Sequence, residues 1–298
     1  MTRLSRPLQG ILWMLLTGIL FVMVTAVVKF AGEDLPAAES AFLRYLIGFV
    51  FILPFARSIF TFRLTRRQVS LFAARGLVHA IGVMCWFYSM TQISIAEVTA
   101  MNYLNPVYVT LGAALFLGER LSWPRLTAIL AALVGTVVIL RPGLRAIEPG
   151  HVTMLVTALL FGASYLLAKP LSDRFPAMLV VAMLSFFVTL GLAPFAIAVW
   201  VTPTMSEVFW MGIVALFATT GHYTMTRAFA AAPVSITQPA TFLQLLWAVL
   251  LGWAVFDESP DLWVVVGATI IILSVTFIAW REARRARPIT PPSSAAKF

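Results

Sequence analysis

Residues 101–110 read MNYLNPVYVT and place Asn102, Tyr103, Asn105 and Pro106 inside an apolar stretch that runs from Ile95 to Gly118. Pro106 has no amide hydrogen, so the carbonyl of Asn102, four residues back, loses its helical bond, and the ring presses on the same turn. The spacing predicts a kink there. In hydrocarbon a free carbonyl costs several kcal/mol, so such a break survives only where protein or a watery cavity satisfies it. The freed carbonyl and the amides of Asn102 and Asn105 would offer donors and acceptors to one volume, which suits the ammonium and carboxylate of a zwitterion. The same asparagines could instead bond a neighbouring helix, as polar residues commonly do in membrane bundles.

Other residues with chemistry to offer lie on helical spacing. Phe21, Thr25 and Lys29, and later Phe161, Tyr165 and Lys169, stand at i, i+4 and i+8, so each trio forms one stripe. The ring and hydroxyl positions are candidates to line a cavity, whereas a lysine near a helix end is expected to snorkel to the interface. His79 and Trp86 share a face because seven residues make nearly two turns. Tyr88 follows them, and His222 and Thr226 are four apart. Ionisable groups within a membrane are expensive and by default face the bundle interior or a substrate path. Arg44 is deep enough to attract a carboxylate, while Arg75 and Arg227, nearer the inner ends, are expected to snorkel. Phe242 and Gln244 occupy the region of the second half that corresponds to the asparagine cluster.

These side chains need a frame, and composition defines it. Of 298 residues, 61% are hydrophobic and 11% charged, against about 45–50% and ~25% in soluble domains. The chain reads as an integral membrane protein. Its single cysteine, Cys85, excludes an intramolecular disulfide. A span needs about 20 apolar residues, and ten segments qualify: 8–30, 36–56, 69–91, 95–118, 122–141, 151–172, 176–200, 205–230, 232–256 and 260–280. The first is too long for the core of a signal peptide. Spans five and ten are nearly free of polar residues and are expected at the periphery, where Ala128, Ala132 and Thr136 allow close helix contact.

Lysine and arginine concentrate in alternate loops, including Arg57, Arg63, Arg66, Arg67, Arg120, Arg125 and Arg174, and in both termini; the opposite loops hold only Arg141 and Arg145. Positive loops stay cytoplasmic, so both termini are expected inside. The net charge of +9 is then explained by topology and anionic lipid, with no nucleic-acid partner required. No span carries a mid-depth carboxylate, because Glu39 and Glu97 lie within two turns of helix ends. No phosphate loop, metal-ligand cluster or nucleophile–base pair is present, so the reading is of a protein that is not an enzyme and needs no cofactor.

The chain also repeats itself. A shift of 140 residues superimposes Gly10 on Gly150, Thr17 on Thr157, Phe21 on Phe161, Lys29 on Lys169, Pro36 on Pro176, Pro54 on Pro194 and Trp123 on Trp263. In the third and fourth spans the register is open to a one-residue slip, which would place Glu119 over Glu258. Five spans per copy is an odd number, so the second copy must enter the membrane from the other side. This is the inverted-repeat plan of secondary transporters, which bind near the midplane between halves and work by alternating access.

Five plus five spans, basic inner loops, a glutamate closing spans four and nine (LGERLSW, 117–123; FDESPDLW, 256–263) and NYLNPV in span four resemble the EamA-type drug/metabolite transporter superfamily over residues 8–280. Within it the NYLNP stretch is most similar to the bacterial amino-acid exporters of the YddG type, whose substrates include aromatic amino acids. Members of that type often carry tryptophan where this chain has Phe21, Phe161 or Gly162, and another at Asn105, which weighs against large aromatic cargo. The small multidrug pumps, distant cousins by this resemblance, use a glutamate in the first span to exchange protons for cations; residues 8–30 contain none.

The expectation is therefore an all-α integral membrane protein of ten transmembrane helices, arranged as two five-helix inverted-topology repeats around a central cavity. Residues 1–145 and 146–281 form the repeats, and 282–298 a basic, disordered cytoplasmic tail. It would sit in the bacterial inner membrane in contact with lipid and export amino acids or similar zwitterions; nothing in the sequence requires more than a monomer. Candidate substrate-binding residues are Asn102, Tyr103, Asn105, Pro106, His79, Trp86, Tyr88, Phe21, Phe161, Tyr165, His222, Phe242, Gln244 and Arg44. Alternatives on the same fold are a nucleobase, sugar nucleotide, cofactor precursor or hydrophobic cation as cargo, or a lipid scramblase or non-transporting membrane subunit.

Overall fold

The computed structural model describes residues 6–31, 35–55, 61–105, 107–108, 111–112, 115, 123–144, 146–172, 174–231 and 243–285. Within them the chain is helical throughout: α1 (Arg6–Ala31), α2 (Ala37–Ile52), α3 (Arg66–Gln92), α4 (Ile95–Asn102), α5 (Trp123–Leu140), α6 (Pro149–Ser172), α7 (Ala177–Ala198), α8 (Met205–Ala231), α9 (Leu243–Phe256) and α10 (Leu262–Arg285). Four stretches, Leu8–Ala31, Arg66–Gln92, Pro149–Leu167 and Met178–Ala198, are long and apolar enough to cross a membrane. Large apolar side chains such as Leu46, Leu77, Leu130, Leu190 and Leu273 stand exposed on the outside of the bundle. That surface is explained by lipid as its solvent, because the hydrocarbon core sets both the length and the apolar character of the helices it contains.

Helix starts follow local chemistry, and equivalent starts use equivalent residues. Pro36 and Pro176, both extended (ψ 137° and 144°), precede α2 and α7; a proline fits before the first turn because it has no N–H to leave unsatisfied. Thr65 caps α3, with Gln68 bonding back to it. Thr204 and Glu207 make the same reciprocal pair at α8, satisfying otherwise free amides. These two boxes are offset by 139 residues rather than 140, so the one-residue slip falls before the third helix of the repeat.

The halves interlock. The closest partnerships are α3 with α6 and α1 with α8, which exchange when each helix is replaced by its repeat equivalent; so do α3 with α7 and α2 with α8, and α1 with α9 and α4 with α6. α2 packs on α7, α4 on α9 and α5 on α10, each pair being its own equivalent. At the α5–α10 crossing Gly135 and Gly267 face each other: a Cβ on either would fall 2.6 or 2.5 Å from the other's carbonyl oxygen. The small-residue face foreseen at Ala128, Ala132 and Thr136 is buried, but it is the glycine pair that lets these backbones touch.

Two expectations are revised. The fourth span breaks just before the proline and not at it: α4 stops at Asn102, the amides of Tyr103 and Leu104 bond three residues back, to Ala100 and Met101, and helix resumes at Asn105, with the Tyr108 amide on the Leu104 carbonyl. Position 106 itself lies outside the described residues. The last helix continues to Arg285, past the expected start of the tail; residues 286–298 are outside the described set.

Candidate functional site

A pair of matched aromatic seats occupies the interior. Phe161 of α6 lies flat on His79 of α3, with centroids 4.6 Å apart and planes 19° apart. It meets Trp86 edge-on at 6.0 Å and reaches Tyr165 at 6.5 Å. Residue 82 must be glycine for this to fit, since a Cβ there would come within 2.9 Å of the Phe161 ring. One turn before the ring, Thr157 donates to the Gly82 carbonyl at 3.2 Å, and His79 Nδ1 lies 3.2 Å from Ser164 Oγ.

The other half repeats the plan. Phe21 of α1 meets His222 of α8 at 5.2 Å and 80° and rides over Gly221, where a Cβ would sit 3.5 Å from the ring. Thr17, one turn earlier, has its hydroxyl 2.8 Å from that of Thr224, which donates to the Gly221 carbonyl. Phe21 matches Phe161 and Thr17 matches Thr157 on the 140-residue diagonal, while Gly221 follows Gly82 by 139. Each seat is therefore phenylalanine on glycine, pinned by a threonine and flanked by a histidine.

Asn102 and Asn105 do not converge independently on a common volume; Asn105 Nδ2 donates to Asn102 Oδ1 at 2.9 Å. The break in α4 brings the two side chains together, leaving Asn105 buried, with its Oδ1 unbonded, and Asn102 half-buried. Tyr103 hydrogen-bonds with the backbone of Leu245 in α9, and Gln244 packs against Gly18 of α1. These contacts bring α1, α4 and α9 to one place. Among the described residues, no ring contact or side-chain hydrogen bond joins Tyr88 to this group. Pro106 and Phe242 lie outside the described residues.

Arg75 does not snorkel. Position 75 is nine residues into α3, ~13 Å along its axis at 1.5 Å per residue, because the helix begins at Arg66, three residues before the apolar run. Its side chain is buried, close enough to Tyr45 and Tyr165 to interact with them electrostatically. Arg44 is buried too, its guanidinium 3.9 Å over the Tyr45 ring. Arg227 is exposed at Tyr223, as expected. Tyr165, although three helices converge on it, retains 37% of its surface, and Phe21, Tyr103 and His222 are half-buried. Accessible polar and aromatic surface inside a bundle is what a small-molecule site requires.

A second constellation closes one end. Lys29, at the end of α1, pairs with Glu258 at 2.6 Å and donates to the Ile93 carbonyl at 3.0 Å. Glu258 in turn accepts from the Ile95 amide at the start of α4. Beside it, Glu97 accepts from the Ser94 amide and hydroxyl, while His151 Nε2 lies 3.2 Å from Glu97 Oε1. His151 Nδ1 accepts from the Glu148 amide, which puts the ring proton on Nε2, directed at the carboxylate. Lys29, Gln92, Ser94, Glu97, Glu148, His151 and Glu258 surround a cavity of about 390 Å³. Lys29 was expected to snorkel, and His151 was not among the candidates. The sequence signal for them was slight: a histidine opening α6 and a carboxylate at the third position of α4.

A lipid-exposed helical bundle, duplicated and holding accessible polar groups between its halves, defines a membrane carrier. The chain belongs to the EamA-like transporter family, whose model matches residues 8–141 and 148–280; it is a transporter and not an enzyme. It is 31% identical over 286 residues to a riboflavin transporter of Rhizobium johnstonii, covering 95% of each chain. It is 25% identical to an S-adenosylmethionine uptake transporter of Rickettsia prowazekii, over 94% of this chain and 96% of that one. A pseudopaline exporter of Pseudomonas aeruginosa is 28% identical, over 89% and 94%. A solved crystal structure with 21% identity shares the fold at a TM-score of 0.60, covering 94% of this chain and 98% of that chain. The substrates in the names of these three relatives are thus riboflavin, S-adenosylmethionine and pseudopaline.

Proposed function

We propose that the protein is a secondary carrier of a planar heteroaromatic metabolite, working by alternating access between two inverted five-helix repeats in a bacterial inner membrane, with both termini cytoplasmic. The observation that carries this reading is the accessible Tyr165 ring beside the packed Phe161–His79 stack, matched in the other half by the half-buried Phe21–His222 pair. Flat aromatic and imidazole faces bind planar rings by offset stacking, at ~0.5–1.5 kcal/mol per ring beyond burial. The name of the Rhizobium johnstonii relative supports it, since riboflavin is such a ring system. Helix partnerships that exchange between halves support the inverted arrangement, as does the placement of positive loops. The division at residues 145 and 281 follows that arrangement. Lys29–Glu258 and Glu97–His151 then act as a latch at the outer end.

Counterflow in proteoliposomes tests this. Preloaded riboflavin should accelerate entry of labelled riboflavin, and preloaded leucine or alanine should not. Acceleration by amino acids alone would reject the planar-ring reading. It would favour the second one, amino-acid export, for which the undonated Oδ1 of Asn105 is the specific observation because it suits a substrate ammonium.

A further inference from the structure

We infer that the site favours planar cargo bearing an acidic group, a carboxylate or phosphate held by Arg75 with Arg44 beside it, over neutral rings such as riboflavin; this rests on the planar-ring reading and adds a charge preference to it.

Arg75 is 8% exposed, yet its Nε and Nη1 have no acceptor. The Tyr45 hydroxyl next to it is likewise unbonded, and Arg44, 4% exposed, lies over the ring of that tyrosine. Among the described residues no carboxylate pairs with either arginine. Glu39, five residues before Arg44 and so turned well away from it on the helix, is engaged with the Val201 amide. Two desolvated guanidiniums without an anion are costly in a membrane protein, and such residues mark a substrate path.

The scaffold does not need them. On the repeat diagonals Arg44 corresponds to Leu184 and Arg75 to Val214, both buried and apolar, so the second copy folds with hydrocarbon at both positions. The cations also adjoin the aromatic seat: Arg75 is one turn from His79, and its charge is felt at Tyr165, the ring with accessible surface. A ring stacked on the accessible face of Tyr165 could therefore extend a substituent to Arg75. A guanidinium presents a planar fork of N–H groups that matches an oxyanion's two oxygens.

The test is calorimetric binding to the purified carrier with an isosteric pair, 2-naphthoate and 2-naphthamide, alongside riboflavin. Naphthoate should bind at least about tenfold tighter than the amide, the scale of a charge-assisted hydrogen bond. Arg75→Gln should erase the difference by lowering naphthoate affinity, and Arg75→Lys should restore part of it. Equal binding of acid and amide by the unaltered protein, or an acid preference that survives Arg75→Gln, overturns the inference. So does Arg75-dependent binding of inorganic phosphate with no acid preference among the aromatic probes, which would assign the site to a free anion. If riboflavin and naphthamide bind but the acid gains nothing, only the acid group is refuted. If none of the three aromatic probes binds, the planar-ring reading itself has failed.

Discussion

Phe161 and Gly82 are in contact across the α3–α6 crossing, and the absent side chain of Gly82 is what allows Phe161 to lie flat on His79. A Cβ at position 82 would meet the ring at 2.9 Å and the Leu160 Cβ at 3.2 Å, whereas at Gly221 the nearest atoms are 3.5 Å away. Gly82→Ala should therefore destabilise the protein by ~1–3 kcal/mol, as overpacking does. Gly221→Ala should be near neutral, its ordinary contact offset by the better helix propensity of alanine. Thermal unfolding in detergent checks this; a larger loss at Gly221 would contradict the geometry.

Trp86 is nearly buried, with an indole N–H that bonds nothing. Trp86→Phe removes that orphan donor at little cost but leaves the void of a smaller ring, so it should lower stability by ~1–2 kcal/mol. If that N–H serves cargo, KM should rise several-fold. An unaltered KM together with a large loss of stability would make Trp86 a packing residue.

The bond from Asn105 to Asn102 separates two roles by where the damage falls. Asn105→Ala should cost ~0.5–1.5 kcal/mol, the net worth of one hydrogen bond, and both Asn105→Ala and Asn102→Ala should slow counterflow at normal membrane abundance. Full transport by both variants would return the pair to interhelical or local glue.

Lys29 and Glu258 are each less than one-fifth exposed. A double-mutant cycle with Lys29→Met and Glu258→Gln should give a coupling of ~1–3 kcal/mol, within the range for contacting residues. The single variants should also make a cysteine placed at Ser94 more reactive towards a soluble thiol reagent. Coupling near zero would leave the latch without an energetic basis.

The helices were legible in the sequence because hydrocarbon thickness imposes length and apolarity on each span; α1, α3 and α6–α8 begin and end within three residues of the expected limits. The repeat was legible through prolines, lysines and tryptophans, and the capping boxes at Thr65 and Thr204 locate the slip that apolar residues left open. Phe21, His79, Trp86, Phe161, Tyr165 and His222 were recognisable by helical spacing, which reports a shared face within one helix. Partners on different helices were not. Nothing local links Lys29 to Glu258, or Glu97 to His151, and no periodicity tells Asn105 that its nearest acceptor is Asn102. Depth was misjudged for Arg75 because the capped, polar first turn of α3 adds length that hydropathy does not register.

The α5–α10 crossing carries a mechanical implication. With Gly135 and Gly267 backbone to backbone and Arg141 paired to Asp261 at the end of the same two helices, neither rod can slide a turn past the other without prising the glycines apart. What remains is pivoting about the crossing point. The two helices thus behave like the spine of a book, held along one line and free only to turn about it.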